Sequence, residues 1–155
     1  MSELQINPLI ESTVMMCTGF IEKATSNFSI HLGDNIPTVP GHYQKLQQVL
    51  MNLIINACQA LPEKSSTLHI ESGYNKVDHQ VQVKIIDQGT GIMTDHFEQI
   101  SKPFFSTKGS MGLGLSISEE IIKLHKGTLK FIPNDNAGTT VVISLPIIEK
   151  EVLIL

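Results

Sequence analysis

Apolar residues recur along this chain in two rhythms, one near 3.6 and one of 2, and the switches between them mark its elements. "PLIESTVMMCTGFIEKATSN", Pro8 to Asn27, sets Leu9, Val14, Met16, Ile21 and Ala24 at loosely helical spacing, with Pro8 suited to a first helical position. "FSIHL" follows as a short strand, and "GDNIPTVPG" reads as loop because Pro37, Pro40 and Gly41 punctuate it. "HYQKLQQVLMNLIINACQAL", His42 to Leu61, is a long helical pattern stopped by Pro62. It is apolar over most of its circumference, which predicts a central, buried helix.

Beyond Pro62 the rhythm changes. Leu68 and Ile70 alternate with Thr67, His69 and Glu71; Val81, Val83 and Ile85 alternate with Gln82 and Lys84. Leu129 and Phe131 alternate with Thr128 and Lys130, and Val141, Ile143 and Leu145 alternate with Thr140 and Ser144. Each run predicts a strand with one apolar and one wet face, joined in pairs as antiparallel hairpins by "GYNKVDH" and "PNDNAG". A sheet with one wet face needs helices over the other, so the expected class is α+β: a two-layer α/β sandwich, its sheet mixed but mostly antiparallel, with helices on one face. Between the hairpins, Gln88 to Ser116 is a long, glycine-rich irregular segment before the helix pattern "LSISEEIIKLHK". So long a segment in a compact domain reads as a functional loop or lid.

Composition narrows the classes. At 155 residues the chain fits one domain, with the N-terminal helix and strand (1–39) and a C-terminal extension (147–155) around a core of about 40–146. At a formal charge of −4 no basic surface advertises itself to nucleic acid or anionic lipid, so any anion must be held locally. Cys17 and Cys58 form no ligand or C-x-x-C pattern and suit a reducing compartment. With no apolar run of membrane-spanning length and no signal-like N-terminus, a cytoplasmic location without membrane contact is expected, alone or as the cytoplasmic part of a larger sensor.

Candidate chemistry begins at "DQGTGI". Parity with Val81, Val83 and Ile85 puts Asp87 on the inward face at the end of its strand, where a carboxylate is costly unless donors meet it. Thr139, by the parity of Val141 and Ile143, starts its strand on the same face. If the two strands run antiparallel, acceptor and hydroxyl share one rim, an arrangement suited to a planar ring with an exocyclic amine such as adenine. Asp-x-Gly is also ordinary turn chemistry, so Asp87 alone supports either reading. Asn52 and Asn56, four apart, project from one face of the central helix. Their amides suit an oxygen-seeking cation such as Mg²⁺, or equally bonds to neighbouring backbone. In "STKGSMGLGLS", Gly109, Gly112 and Gly114 free the backbone before a helix N-terminus that favours an anion, and Lys108 could reach a terminal phosphate. The spacing is neither that of a P-loop nor of a dinucleotide fingerprint, and a flexible surface loop explains it as well.

In this order the pieces resemble the ATP-binding catalytic domain of sensor histidine kinases, in the superfamily that also holds gyrase and certain chaperone ATPases. "LQQVLMNLIINACQAL" resembles the asparagine box, "DQGTGI" the first glycine box, "KPFFSTK" the phenylalanine box, "GLGLSIS" the second glycine box and "AGTTVVISLP" the closing strand. The resemblance implies a Bergerat-type ATP-binding fold with a mobile lid, ATP and Mg²⁺ as ligands, and histidine kinase activity. Asn56 would ligate Mg²⁺, with Asn52 beside the phosphates and Lys108 assisting transfer. Asp87 would accept from the adenine amine, supported by Gly89, Gly91, Ile92 and Thr139. Gly112, Leu113, Gly114 and Leu115 would pass near the phosphates, and Phe104 and Phe105 would anchor the lid.

Hydrolysing relatives carry a glutamate general base one turn before the metal-binding asparagine, where this chain has Asn52. An amide cannot take that proton, which favours transfer over hydrolysis. The implied acceptor is a histidine on a separate dimerisation domain, with a response regulator downstream. None of the six histidines here fits that acceptor; surface or capping roles are expected for all, with His125 at a helix end suited to the dipole. An anti-sigma-type serine/threonine kinase, which typically keeps the glutamate, and a non-catalytic nucleotide-binding scaffold remain alternatives.

Overall fold

The computed structural model describes residues 1–88, 111–135 and 137–147. β1 (Ser2–Leu4) leads into α1 (Ile6–Met16) and α2 (Thr18–Ala24), followed by β2 (Asn27–Leu32) and β3 (Val39–Gly41). Then come α3 (Tyr43–Ala60), β4 (Thr67–Asn75), β5 (Gln80–Asp87), α4 (Met111–Leu124), β6 (Thr128–Pro133) and β7 (Thr139–Pro146). A five-stranded sheet runs in the order β2-β4-β5-β7-β6, with β2 parallel to β4 and every other pair antiparallel. This is the expected mixed, mostly antiparallel sheet.

The alternation seen in the sequence becomes burial. Val81, Val83, Ile85 and Asp87 are all buried on β5, as are Leu68 and Ile70 on β4. They share one core with Leu46, Val49, Leu50, Leu53 and Ile54 of α3, Leu9 and Ile10 of α1, and Leu115 and Ile122 of α4. Helix α3, the predicted central helix, packs on β5 and against α1, α2 and α4. Among the described residues no helix is long and apolar enough to cross a membrane.

Four expectations need correction. The segment from Pro8 is two helices, broken at Cys17, whose N–H bonds back to Thr13 and Val14 while its φ and ψ of −95° and 4° leave the helical path. The Pro-rich loop ends in β3, which pairs antiparallel with β1. Three-residue strands are too short to show a period, and Pro40 masks this one as a breaker. The wet face of β7 is closed: Val142 and Ser144 are buried, because Lys84, Lys130 and Gln82 flank them in register and long polar side chains cover apolar surface with their stems. Helix α4 starts at Met111 rather than at Leu115, so Gly112 and Gly114 lie inside its first turn.

His125 takes the capping half of the role expected of it, but from inside the fold rather than at the surface. It is buried, its Nδ1 donates to the Ile121 carbonyl at 2.7 Å, and its Nε2 accepts from the His42 N–H at 3.0 Å. These roles define the neutral tautomer with the proton on Nδ1. The ring ties the end of α4 to the start of α3. It also meets the His42 ring edge-on, with centroids 5.8 Å apart.

Candidate functional site

The rim predicted from parity exists. Asp87 and Thr139 are directly opposite in the antiparallel β5–β7 ladder, and both are only 4% exposed. Strand alternation puts them on the core face, next to the apolar pairs Ile85–Val141 and Val83–Ile143. A carboxylate and a hydroxyl thus stand side by side where strand β5 leaves the sheet.

Helix α3 carries further polar groups, with Asn52 and Asn56 on one face. Asn52 Nδ2 lies 3.5 Å from the Ser118 hydroxyl of α4, and a Cβ added to Gly114 would sit 4.0 Å from the same amide. The first turn of α4 therefore lies against Asn52 at Gly114. One turn further on is Asn56. Two residues beyond it, Cys58 is close enough to Asp87 for that carboxylate to act on its thiol. Burial, then Cys17 and then Asp87 push the Cys58 thiol up to about 11.

Asn56 carries the anomaly. Its Nδ2 is buried and has no hydrogen-bond partner among the described residues. A 180° turn of the amide brings Oδ1 to the same place, and a bare amide oxygen is a hard donor that fits Mg²⁺. Among the described residues no group of three or more His, Cys, Asp or Glu could hold a metal.

Of the residues singled out in the sequence, Asp87 with Thr139, and Asn52 with Gly114, are brought together. Leu115 is buried in the core, 2% exposed, so its side chain packs rather than lines an opening. Gly112 and Leu113 belong to the first turn of α4. Gly89, Gly91, Ile92, Phe104, Phe105, Lys108 and Gly109 lie outside the described residues. The sequence reading missed Ser118, fully buried on α4, and Asn134, which bonds to the Asp87 backbone. The turn composition "PNDNAG" announced a turn but could not say which Asn faces the site.

The profile of the family described as histidine kinase-, DNA gyrase B-, and HSP90-like ATPase matches residues 41–149. The signal transduction histidine-protein kinase AtoS of Escherichia coli (strain K12) is 32% identical over 146 residues, 94% of this chain and 24% of its own length. The nucleotide-free catalytic domain of histidine kinase ThkA superposes with a TM-score of 0.83 at 29% identity, covering 94% of this chain and 96% of that one. ThkA in complex with response regulator protein TrrA superposes with a TM-score of 0.79 at 27% identity, over 94% of this chain and 41% of that one. The chain belongs to the family of histidine kinase-, DNA gyrase B- and HSP90-like ATPases. Within that family it corresponds to the ATP-binding catalytic domain of two-component sensor histidine kinases, and it spans about a quarter of the length of AtoS.

Proposed function

We propose that this chain, acting as a single domain, binds ATP with Mg²⁺ and transfers the γ-phosphate to a histidine on a separate dimerisation domain. From there the phosphate would pass to a response regulator, and the reaction would take place in the cytoplasm. The observation that carries the reading is the buried Asp87 carboxylate opposite Thr139, an acceptor and a hydroxyl at one rim that match the amine edge of adenine.

The roles follow from placement. Asp87 would accept from the exocyclic amine, and Thr139 would bond the ring beside it. Asn52, held against the first turn of α4, would flank the phosphates, whose charge the N–H groups of that turn favour. Asn56 would hold Mg²⁺, which neutralises charge on the phosphate oxygens as the bond to the leaving group loosens. Lys108, with Gly89, Gly91, Ile92, Gly112 and Leu113, is assigned to the nucleotide by its match to the family's boxes. With Asn52 where a general base would stand, the site orients ATP for transfer and activates no water.

A thermal-shift series with ATP, ADP and GTP in Mg²⁺ tests the binding half. ATP at a hundredfold excess over its dissociation constant stabilises the chain by roughly 2.7 kcal/mol. GTP does not, and Asp87→Asn, which offers the amine a poorer acceptor, loses most of the ATP effect. Adding a separately made histidine-helix domain tests transfer, where acid-labile phosphate on the added domain is expected. Equal stabilisation by GTP, or acid-stable phosphate on serine, overturns the reading.

A further inference from the structure

The loop that joins β6 to β7 touches the backbone that carries Asp87. Asn134 Nδ2 donates to the Asp87 carbonyl oxygen at 3.0 Å, and Asn134 Oδ1 accepts from the Thr140 hydroxyl at 2.6 Å. The Asn134 N–H donates to the Gly138 carbonyl, also at 3.0 Å. One half-buried amide thus spans the end of β5 and both sides of the neighbouring hairpin. Gly138, at φ +90°, lets the hairpin close on that strand, since a Cβ there would overlap the Asp87 carbonyl oxygen. On the other flank, the Gln88 N–H donates to the Thr67 carbonyl at 3.1 Å, and Gln88 Oε1 accepts from the Thr67 N–H at 3.2 Å.

Asp87 is the last residue of its strand, and beyond it the backbone is held on the β4 side by the Gln88–Thr67 bonds and on the β7 side by the Asn134 amide. A carboxylate that must meet an amine on a rigid ring tolerates little displacement, because hydrogen bonds weaken steeply with misalignment. The Asn134 bond acts on the Asp87 carbonyl itself. Its own orientation is set by Thr140, whose hydroxyl occupies the amide oxygen and leaves the NH₂ aimed at β5.

We propose that Asn134 is a positioning residue of the adenine site, holding the Asp87 backbone so that the carboxylate meets the exocyclic amine. The inference rests on the adenine reading of Asp87 and adds a residue that acts through it. A specific signature follows: loss of the Asn134 amide weakens recognition of the amino group and leaves the rest of the nucleotide's binding intact.

The test compares ATP with purine riboside 5′-triphosphate, the same nucleotide without its 6-amino group, by titration calorimetry on the full chain with Mg²⁺. Wild type prefers ATP by about tenfold or more, the scale of one hydrogen bond to a charged group. Asn134→Ala weakens ATP by about fivefold to tenfold and the analogue by less than about twofold. Thr140→Val keeps the donor and removes its steering bond, so it shifts ATP in the same direction by less; it also serves if the alanine variant unfolds. Equal losses for both nucleotides, or no loss for ATP, reduce Asn134 to a turn residue and overturn the proposal. A wild type that binds both nucleotides alike overturns the adenine reading of Asp87 itself, and the proposal with it.

Discussion

Cys58 is a thiol kept from ionising by its surroundings. Burial raises it first, and the neighbouring Cys17 and the Asp87 carboxylate raise it further, to about 11. In the unfolded chain the same group ionises near about 8.5. The folded state therefore binds this proton more tightly: its contribution to stability is complete below about 8.5 and is lost as pH rises toward 11. The urea midpoint of wild type is expected to fall across that window more steeply than that of Cys58→Ala, as measured by circular dichroism. Cys17, raised in the same direction by burial, leaves part of the slope in the variant. An identical slope in both proteins refutes the assignment. Residue-scale chemistry was partly legible in the sequence. The parity that turns Asp87 inward is local and survives into the fold, whereas the link between Cys58 and Asp87 joins α3 to β5 and depends on packing that no spacing encodes.

Helix α4 shows what an element needs beyond its own periodicity. Its N-terminal turn meets Asn52, and its C-terminus is tied by His125 to the His42 N–H at the start of α3. The two contacts lie at opposite ends of α4 and set its separation from α3. His125→Phe keeps a planar ring but removes the acceptor of the part-buried His42 N–H, a loss of about 0.5–1.5 kcal/mol. Urea unfolding measures it, and an unchanged midpoint would show that the tie does not support the helix pair. Glycines misled the sequence reading at the start of this helix. Gly112 and Gly114 are poor helix formers, so the pattern starts the helix at Leu115, yet the observed first turn includes both. The burial of His125 was missed for a different reason. A polar residue near a helix end ordinarily faces water, and the acceptor and donor that satisfy this one come from distinct elements, 83 residues apart in one case.

At the scale of the whole molecule, β5 lies at the centre: β4 and β7 pair with its two edges and α3 packs on it. Among the described residues, the edge strands β2 and β6 each have one neighbour, and they carry exposed residues along much of their length. Native-state hydrogen exchange should find the slowest amides at Val81, Val83 and Ile85 and faster ones in β2 and β6, because opening β5 requires disrupting both flanks. Equal protection across the sheet would contradict this order. The architecture was readable because the alternating runs were long and their turns distinct. The β1–β3 pair was not, since three residues cannot display a rhythm and their pairing spans most of the N-terminal segment.

Asp87 faces the core by the same odd-even count that buries Val81, Val83 and Ile85. An extra amino acid inserted in the tip between Lys76 and His79 would merely enlarge a loop. One inserted between Ile85 and Asp87 would swing the acid outward into solvent while leaving the valines at their posts. Selection on such insertions and deletions should therefore be harshest along the few residues where folding and nucleotide recognition share a single tally.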